Sequence, residues 1–114
     1  MNTAVVERFD GRTQPREAPM PGLTRLRLAG PITAATSAGA REALRESARR
    51  SDFRLLVDLH DVTALDASGV AALLEGRRQI DGHEQGVMVL RANEIVIRAL
   101  KESGTMAAFK VWKG

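Results

Sequence analysis

The stretch LLVDLHDVTALDASGVAALLEG, residues 55–76, combines an apolar run, a polar turn and the start of an amphipathic segment. Residues 55–59 are almost continuously apolar, which is typical of a strand that is covered on both faces in a parallel sheet. The apolar residues after the turn recur at helical spacing, which predicts a helix over residues 68–80. Residues 66–69, Asp-Ala-Ser-Gly, therefore stand at a strand-to-helix junction, where parallel sheets often carry their functional turns.

Similar segments lie on both sides of this stretch. Further strands are predicted over residues 4–9, 23–28, 87–90 and 109–112. Gly30-Pro31 is expected to end the second of them, and Thr33 or Thr36 is expected to cap the helix that follows. That helix has a narrow stripe of small residues, Ala40, Ala43, Leu44, Ser47 and Ala48. Asn93 is the expected N-cap of a third helix over residues 94–102.

Strands that alternate with helices predict an α/β fold with right-handed crossovers. We expect a single small domain over residues 1–114, with a loop at residues 10–22 between the first two strands. Its mixed, mostly parallel sheet should have about five strands and be packed by three helices. The expected core contains Leu26, Leu28, Leu55, Val57, Leu73, Val87 and Val89.

The charge pattern does not favour nucleic acid as a partner. The formal net charge is +3, with 27% charged residues. Acidic and basic residues interleave between Arg41 and Arg50, as on the solvated face of a helix. The three phenylalanines and one tryptophan do not alternate with basic residues, so base stacking has little support.

The same composition favours a cytoplasmic protein. The sequence has no cysteine, so it forms no disulfide and no thiolate metal site. Residues 1–10 lack the pattern of a secretory signal, and no apolar run approaches the roughly 20 residues of a membrane span. We expect no direct membrane insertion.

The motifs of several enzyme classes are missing. Gly69 stands outside any Gly-rich phosphate-binding pattern, and Ser68 lacks the flanking glycines of a nucleophile elbow. His60 and His83 lie in or beside predicted loops, where solvated histidines are common. The aspartates near the third strand could bind a hard cation, but such residues more often cap turns. We therefore expect a protein that is not an enzyme and has no metal or cofactor.

Two turns follow neighbouring strands and should lie close together. Residues 30–33 follow the second predicted strand, and residues 66–69 follow the third. The carboxyl ends of parallel strands meet at one edge of a sheet, which is where such folds bind their ligands and partners. Asp66 and Ser68 are expected to form the turn and the polar start of the helix, and Gly69 to allow close backbone approach.

From about Leu26 to Trp112 the chain resembles the STAS domain, which sulfate transporters and anti-sigma-factor antagonists share. The matching segments are 28–32, 55–59, 62–73, 97–100 and 103–104. The resemblance implies a small βα domain that binds proteins. Stand-alone members are bacterial regulators that typically bind an anti-sigma factor that is also a serine kinase, until phosphorylation at the start of the second helix ends the binding. A phosphate would add roughly −1.5 to −2 charge at that surface.

The chain departs from the family pattern in both turns. Ala67 stands where the resemblance implies the phosphoacceptor, so this position cannot be phosphorylated, and Ser68 matches the second hydroxyl position. Thr33 stands where the family commonly has an aspartate. We therefore predict a protein-binding module that lacks the family's usual phosphorylation switch. The alternative is that Ser68 is phosphorylated in place of residue 67. The expected partner-binding residues are Gly30, Thr33, Asp66, Ala67, Ser68 and Gly69.

Three functions from different classes stay open at this point. The first is an anti-sigma-factor antagonist or a related regulatory scaffold with a protein partner. The second is an accessory subunit of a membrane lipid-transport complex, a role that STAS-like proteins can have. The third is a sensor that binds a small ligand or nucleotide at the strand-end turns. A homodimer is compatible with each of them.

Overall fold

The computed structural model describes residues 5–9 and 23–112. The predicted loop over residues 10–22 and Ala4 of the first predicted strand lie outside the described residues. The strands are β1 (Val5–Phe9), β2 (Thr24–Ile32), β3 (Arg54–Asp58), β4 (Val62–Leu65), β5 (Val87–Arg91) and β6 (Lys110–Trp112). The helices are α1 (Ser37–Arg50), α2 (Ala67–Asp81) and α3 (Glu94–Glu102), and a short 3-10 turn, Met106–Ala108, precedes β6.

The sheet is mixed and mostly parallel, which confirms the predicted fold class. Its order is β1-β2-β3-β5-β6, and β4 also pairs with β2. β1 is antiparallel to β2, and each of the other pairs is parallel. The described residues form six strands where the sequence predicted about five, because β4 was missed. β3 lies in the middle of this order, and residues 55–58 are buried on both faces of the sheet, as the apolar run predicted.

The prediction that Gly30-Pro31 ends the second strand was wrong. β2 continues through both residues to Ile32, with a break in register between Gly30 and Pro31. Gly30 has a φ of 82°, a left-handed conformation that glycine adopts without a Cβ penalty. Proline is tolerated at such an irregularity, where a missing N–H interrupts no regular ladder. Since β3 ends at Asp58, the last part of β2 is left for β4 to pair with.

The core lies mainly between the helices and one face of the sheet. Leu55 and Val57 belong to this main core, and the small-residue stripe predicted for α1 is its buried face. Leu56, between them in sequence, points to the opposite face and packs with Leu23 and Val89. Of the seven expected core residues only Val87 is not fully buried, and it packs against this second cluster.

A buried carboxylate ties three strands together on the second face. Asp58 of β3 is 1% exposed and accepts hydrogen bonds from the Nε of Arg25 at 3.0 Å and the Nη1 of Arg91 at 3.1 Å. The backbone N–H of His60 donates to its other oxygen at 3.0 Å. Burial raises the pKa of Asp58, but the His60 N–H and the two arginines outweigh it and leave the pKa below its usual value.

We expect this carboxylate to contribute to stability at neutral pH. Because its pKa is lower in the folded state, its contribution is present above the unfolded pKa and is lost as pH falls through the folded pKa. Urea unfolding from pH 7 to pH 2 should show Asp58→Asn to be less stable at pH 7, with the difference from wild type shrinking below about pH 4.

The matched control is Asp61→Asn, because Asp61 makes a similar ion pair with Arg27 at 2.6 Å but is 48% exposed. This variant should change stability by less than about 1 kcal/mol. If Asp58→Asn and Asp61→Asn lost equal amounts of stability, or if Asp58→Asn kept the pH dependence of wild type, the stabilising role of the Asp58 carboxylate would be contradicted.

Candidate functional site

The structure places the two strand-end turns side by side. β4 pairs with the end of β2 so that Leu65 lies opposite Ile32. The backbone N–H of Asp66 then donates to the carbonyl of Ile32 at 3.3 Å. From the other turn, the N–H of Ala34 donates to the Oδ2 of Asp66 at 3.1 Å. Residues 33–36 and 66–69 are thus joined directly through Asp66, and we call them the two-turn surface.

Asp66 is also the N-cap of α2. It has an extended backbone, with φ −100° and ψ −172°, and its Oδ1 accepts a hydrogen bond from the N–H of Gly69 at 3.0 Å. This is N-cap geometry, which satisfies one of the free amides of the first turn. The helix therefore starts at Ala67, one residue before the predicted start, and the cap is Asp66. Ala67 is exposed and Ser68 is partly buried.

Gly69 brings α2 close to the sheet. It is buried, and a Cβ at this position would lie 2.5 Å from the carbonyl oxygen of Ile32 and would also overlap the side chain of Leu65. Real side chains do not make such approaches, so only glycine fits here. Its contribution is to the close packing of the helix start, as expected, and being buried it offers little surface to a partner.

The other turn is held by a threonine hydroxyl. Thr36 is buried, and its Oγ1 donates to the carbonyl of Pro31 at 2.8 Å and accepts from the N–H of Thr33 at 3.0 Å. Thr36, one of the two predicted caps, has the N-cap position of α1, but its hydroxyl bonds within the turn and makes no cap hydrogen bond with the helix. Thr33 is partly buried, whereas Ala34 and Ala35 are exposed.

Gly30 lies further back, where β2 changes register. Its N–H donates to the carbonyl of Asp61 at 3.0 Å, in the connection between β3 and β4. This bond ties Gly30 to that connection and not to either of the joined turns, and its φ of 82° accompanies the register shift of β2. Of the six predicted site residues, the structure thus gathers five, Thr33, Asp66, Ala67, Ser68 and Gly69, in the two joined turns.

Sequence reasoning did not identify Ala34 and Ala35 as part of this surface. Neither has a side chain with a distinctive role, and the contact of Ala34 is made by its backbone N–H. The only available signal was their position between a predicted strand end and a helix start. That position identifies a turn but does not say which neighbour the turn contacts.

The aspartates near the third strand have separate partners. Asp58 is bound by Arg25 and Arg91, Asp61 pairs with Arg27, and Asp66 caps α2. In the described parts of the chain, no group of three or more His, Cys, Asp or Glu residues is placed to hold a metal ion. Within the same residues, no helix combines the length and apolar character that a membrane crossing requires.

One comparison with known proteins identifies the family, and another identifies the fold. The family model described as "Mlab, STAS domain" matches residues 20–107. The crystal structure of an anti-sigma factor antagonist from Mycobacterium paratuberculosis is similar, with a TM-score of 0.71 and 21% sequence identity over 100% of this chain and 87% of the other. At that identity the likeness concerns the fold. No protein with a curated description matches the sequence.

Proposed function

The chain belongs to the STAS domain family, and on that basis we propose that it is a regulatory protein-binding module of the anti-sigma-factor antagonist kind. The observation that supports this most is the joining of the two turns by Asp66, because it creates one continuous surface at the carboxyl edge of the sheet. The proposed partner is an anti-sigma factor that is also a serine kinase, and the proposed place of binding is the cytoplasm.

The polar groups of the two-turn surface favour binding over catalysis. Both carboxylate oxygens of Asp66 are occupied by backbone N–H groups, and the hydroxyl of Thr36 is both donor and acceptor within its own turn. Groups used in this way hold the backbone in shape. The exposed alanines of the surface, Ala34, Ala35 and Ala67, are small, which suits close contact with another protein surface.

The proposal includes a binding site without its usual switch. Ala67 is the first residue of α2 and is exposed, and in the family pattern this is the phosphoacceptor position. Ser68, the next residue, points about 100° away around the helix axis. The protein is then constitutively competent to bind and is controlled by its abundance or by another partner.

We expect Ala67→Glu to weaken binding to the purified anti-sigma factor kinase encoded nearest to this chain's own gene. A glutamate would place a charge inside the proposed contact, and we expect at least a tenfold rise in Kd, or roughly 1.4 kcal/mol. Glutamate is favoured in the first turn of a helix, so the melting temperature should barely change. Isothermal titration calorimetry and thermal unfolding test the two parts.

Ala107→Glu is the matched control for this substitution. Ala107 is also exposed, but it lies with Gly86 and Val87 at the amino edge of the sheet, opposite the two-turn surface. Its substitution should leave the affinity at the wild-type value. If Ala67→Glu also bound as tightly as wild type, the surface assignment would be wrong.

Ser68 should not become phosphorylated efficiently. When the purified protein is incubated with the same kinase and ATP, intact mass should show no added phosphate on wild type, and Ala67→Ser should restore uptake. The reason is that Ala67 lacks the hydroxyl and the neighbouring position presents its own in a different direction. Stoichiometric phosphate on wild type that disappears in Ser68→Ala would overturn this part of the proposal.

A second candidate is an accessory subunit of a membrane lipid-transport complex. What favours it is that the matching family is described by the name Mlab and not as an antagonist. The same surface could hold either partner. Affinity purification from the native cell separates the two functions, because a serine kinase of the anti-sigma-factor class supports the first and an ABC-type ATPase supports the second.

A further inference from the structure

The N-cap side chains of α2 and α3, Asp66 and Asn93, each make a capping hydrogen bond and a second contact with a segment distant in sequence. Asp66 caps α2 through Oδ1, and its Oδ2 accepts from the N–H of Ala34 at 3.1 Å in a turn distant in sequence. Asn93 caps α3 in the same way, accepting from the N–H of Val96 at 2.9 Å. Its Nδ2 then donates to the carbonyls of His60 and Val62, both at 2.8 Å. Each cap thus ties a helix start to a neighbouring connection.

The two caps differ in the polarity of what they face. Beside Asp66 the neighbouring backbone offers a donor, the N–H of Ala34, so an acceptor is needed. Beside Asn93 it offers two acceptors, the carbonyls of His60 and Val62, so a donor is needed. Aspartate and asparagine are about equally good N-caps. The second contact, and not capping, decides which of the two residues fits at each position.

We infer that Asp66 is a positioning residue of the two-turn surface, which holds residues 33–36 against the start of α2 through the Ala34 N–H. This inference rests on the proposed function, because the surface it shapes is the proposed partner site. In this inference Asp66 acts through the backbone of the turn, because each of its two oxygens accepts a backbone N–H, one from Ala34 and one from Gly69.

The structure gives a reason for such a support at this place. Ala34 and Ala35 are exposed, so burial of their side chains contributes little to holding the turn. Thr36 fixes the base of the turn, and Asp66 fixes its outer part. A hydrogen bond to a carboxylate is roughly twice as strong as one between neutral groups, which suits a contact that must hold an exposed segment.

Asp66→Asn separates positioning from capping. Asparagine keeps an oxygen for the Gly69 N–H, but the amide nitrogen then faces the Ala34 N–H, donor to donor. Asn93→Asp is the matched control, because it also exchanges the two residue types at a cap and disturbs only the contacts with His60 and Val62.

Amide hydrogen exchange by NMR tests the inference without any partner. In Asp66→Asn we expect the Ala34 amide to exchange at least about tenfold faster than in wild type, while the Gly69 amide stays protected. In Asn93→Asp the Ala34 rate should not change. An unchanged Ala34 rate in Asp66→Asn would overturn the inference. If Asp66→Asn does not fold, the exchange rate of the Ala34 amide in wild type tests the inference instead. A wild-type rate equal to that of an unprotected amide would overturn the positioning role of Asp66.

Binding to the same anti-sigma factor kinase then distinguishes this inference from the proposed function. Asp66→Asn should raise Kd about threefold or more, because a smaller fraction of molecules presents the turn in its binding conformation. If Ala67→Glu binds normally, the surface assignment fails, whatever the exchange rates show. If Ala67→Glu loses binding but Asp66→Asn, with its faster Ala34 exchange, binds like wild type, the surface stands and the positioning role is overturned.

Discussion

Replacing Val57 with aspartate should unfold the domain. Val57 is 0% exposed, lies in the central strand and faces the main core between sheet and helices. An unpaired buried charge costs several kcal/mol, against a total stability of about 5–15 kcal/mol for a domain of this kind. Circular dichroism and a two-dimensional NMR spectrum at 25 °C should show loss of native structure at neutral pH.

Asp58 shows what the chain requires in order to bury a carboxylate in the same strand. On the opposite face of β3, that group is bound by two arginines and a backbone N–H. Val57 belongs instead to the main hydrophobic core, with Leu26, Leu55 and Leu90 among its members. Thr63→Asp is a suitable control, because Thr63 is an exposed strand residue on β4. A cooperative melt of Val57→Asp near the wild-type temperature would contradict the role of β3 as the buried centre.

The elements that the sequence predicted well are those with a long or pure pattern. The apolar run of β3 requires cover on both faces, and the stripe of α1 can be buried in only one way. α3 was predicted with its observed bounds, because Asn93 is a strong N-cap signal and the apolar residues keep helical spacing. In each case, local pattern and global packing require the same structure.

The elements that the sequence did not predict depend on pairing between distant segments. β4 has four residues, too few for a clear period, and it forms a strand because the end of β2 is available beside it. The length of β2 depends in turn on β3 ending at Asp58. Gly30-Pro31 is a chain-breaking pair in most contexts, so local rules alone predict a strand end there.

The candidate site was predictable to a similar extent. That the two turns are neighbours followed from the parallel strand order, but residues 66–69 come after β4, which the sequence did not predict, and not directly after the third predicted strand. The bond between Ala34 and Asp66 did not follow from that order, since it depends on the register of β4 against β2 and on a backbone group that almost every residue has. A pattern can indicate which turns are neighbours, but the atoms that join them are set by tertiary structure.

Gly69→Ala and Gly39→Ala should change stability in opposite directions, although each adds one methyl group to the third residue of a helix. Around Gly39 a Cβ would meet no atom within 4 Å, so alanine should stabilise α1 by up to about 1 kcal/mol through helix propensity. At Gly69 the Cβ would lie 2.5 Å from the carbonyl oxygen of Ile32. A backbone atom in a paired strand cannot move aside cheaply, so α2 would have to shift.

The shift at Gly69 should be costly because the contacts of α2 with β2 share the same few atoms. The carbonyl oxygen of Ile32 also accepts a hydrogen bond from the N–H of Asp66. Moving the start of α2 away from the sheet would therefore strain this bond and the bond from the Ala34 N–H to Asp66. Overpacking typically costs about 1–3 kcal/mol, and the overlap with a backbone oxygen puts Gly69→Ala at the upper end of that range, which should lower the melting temperature by about 10 °C. Differential scanning calorimetry on both variants tests this prediction. Equal melting temperatures would contradict the close approach of α2 to the sheet at Gly69. Any loss of partner binding in Gly69→Ala should then follow the loss of folded protein, whereas in Ala67→Glu it should occur with the fold intact.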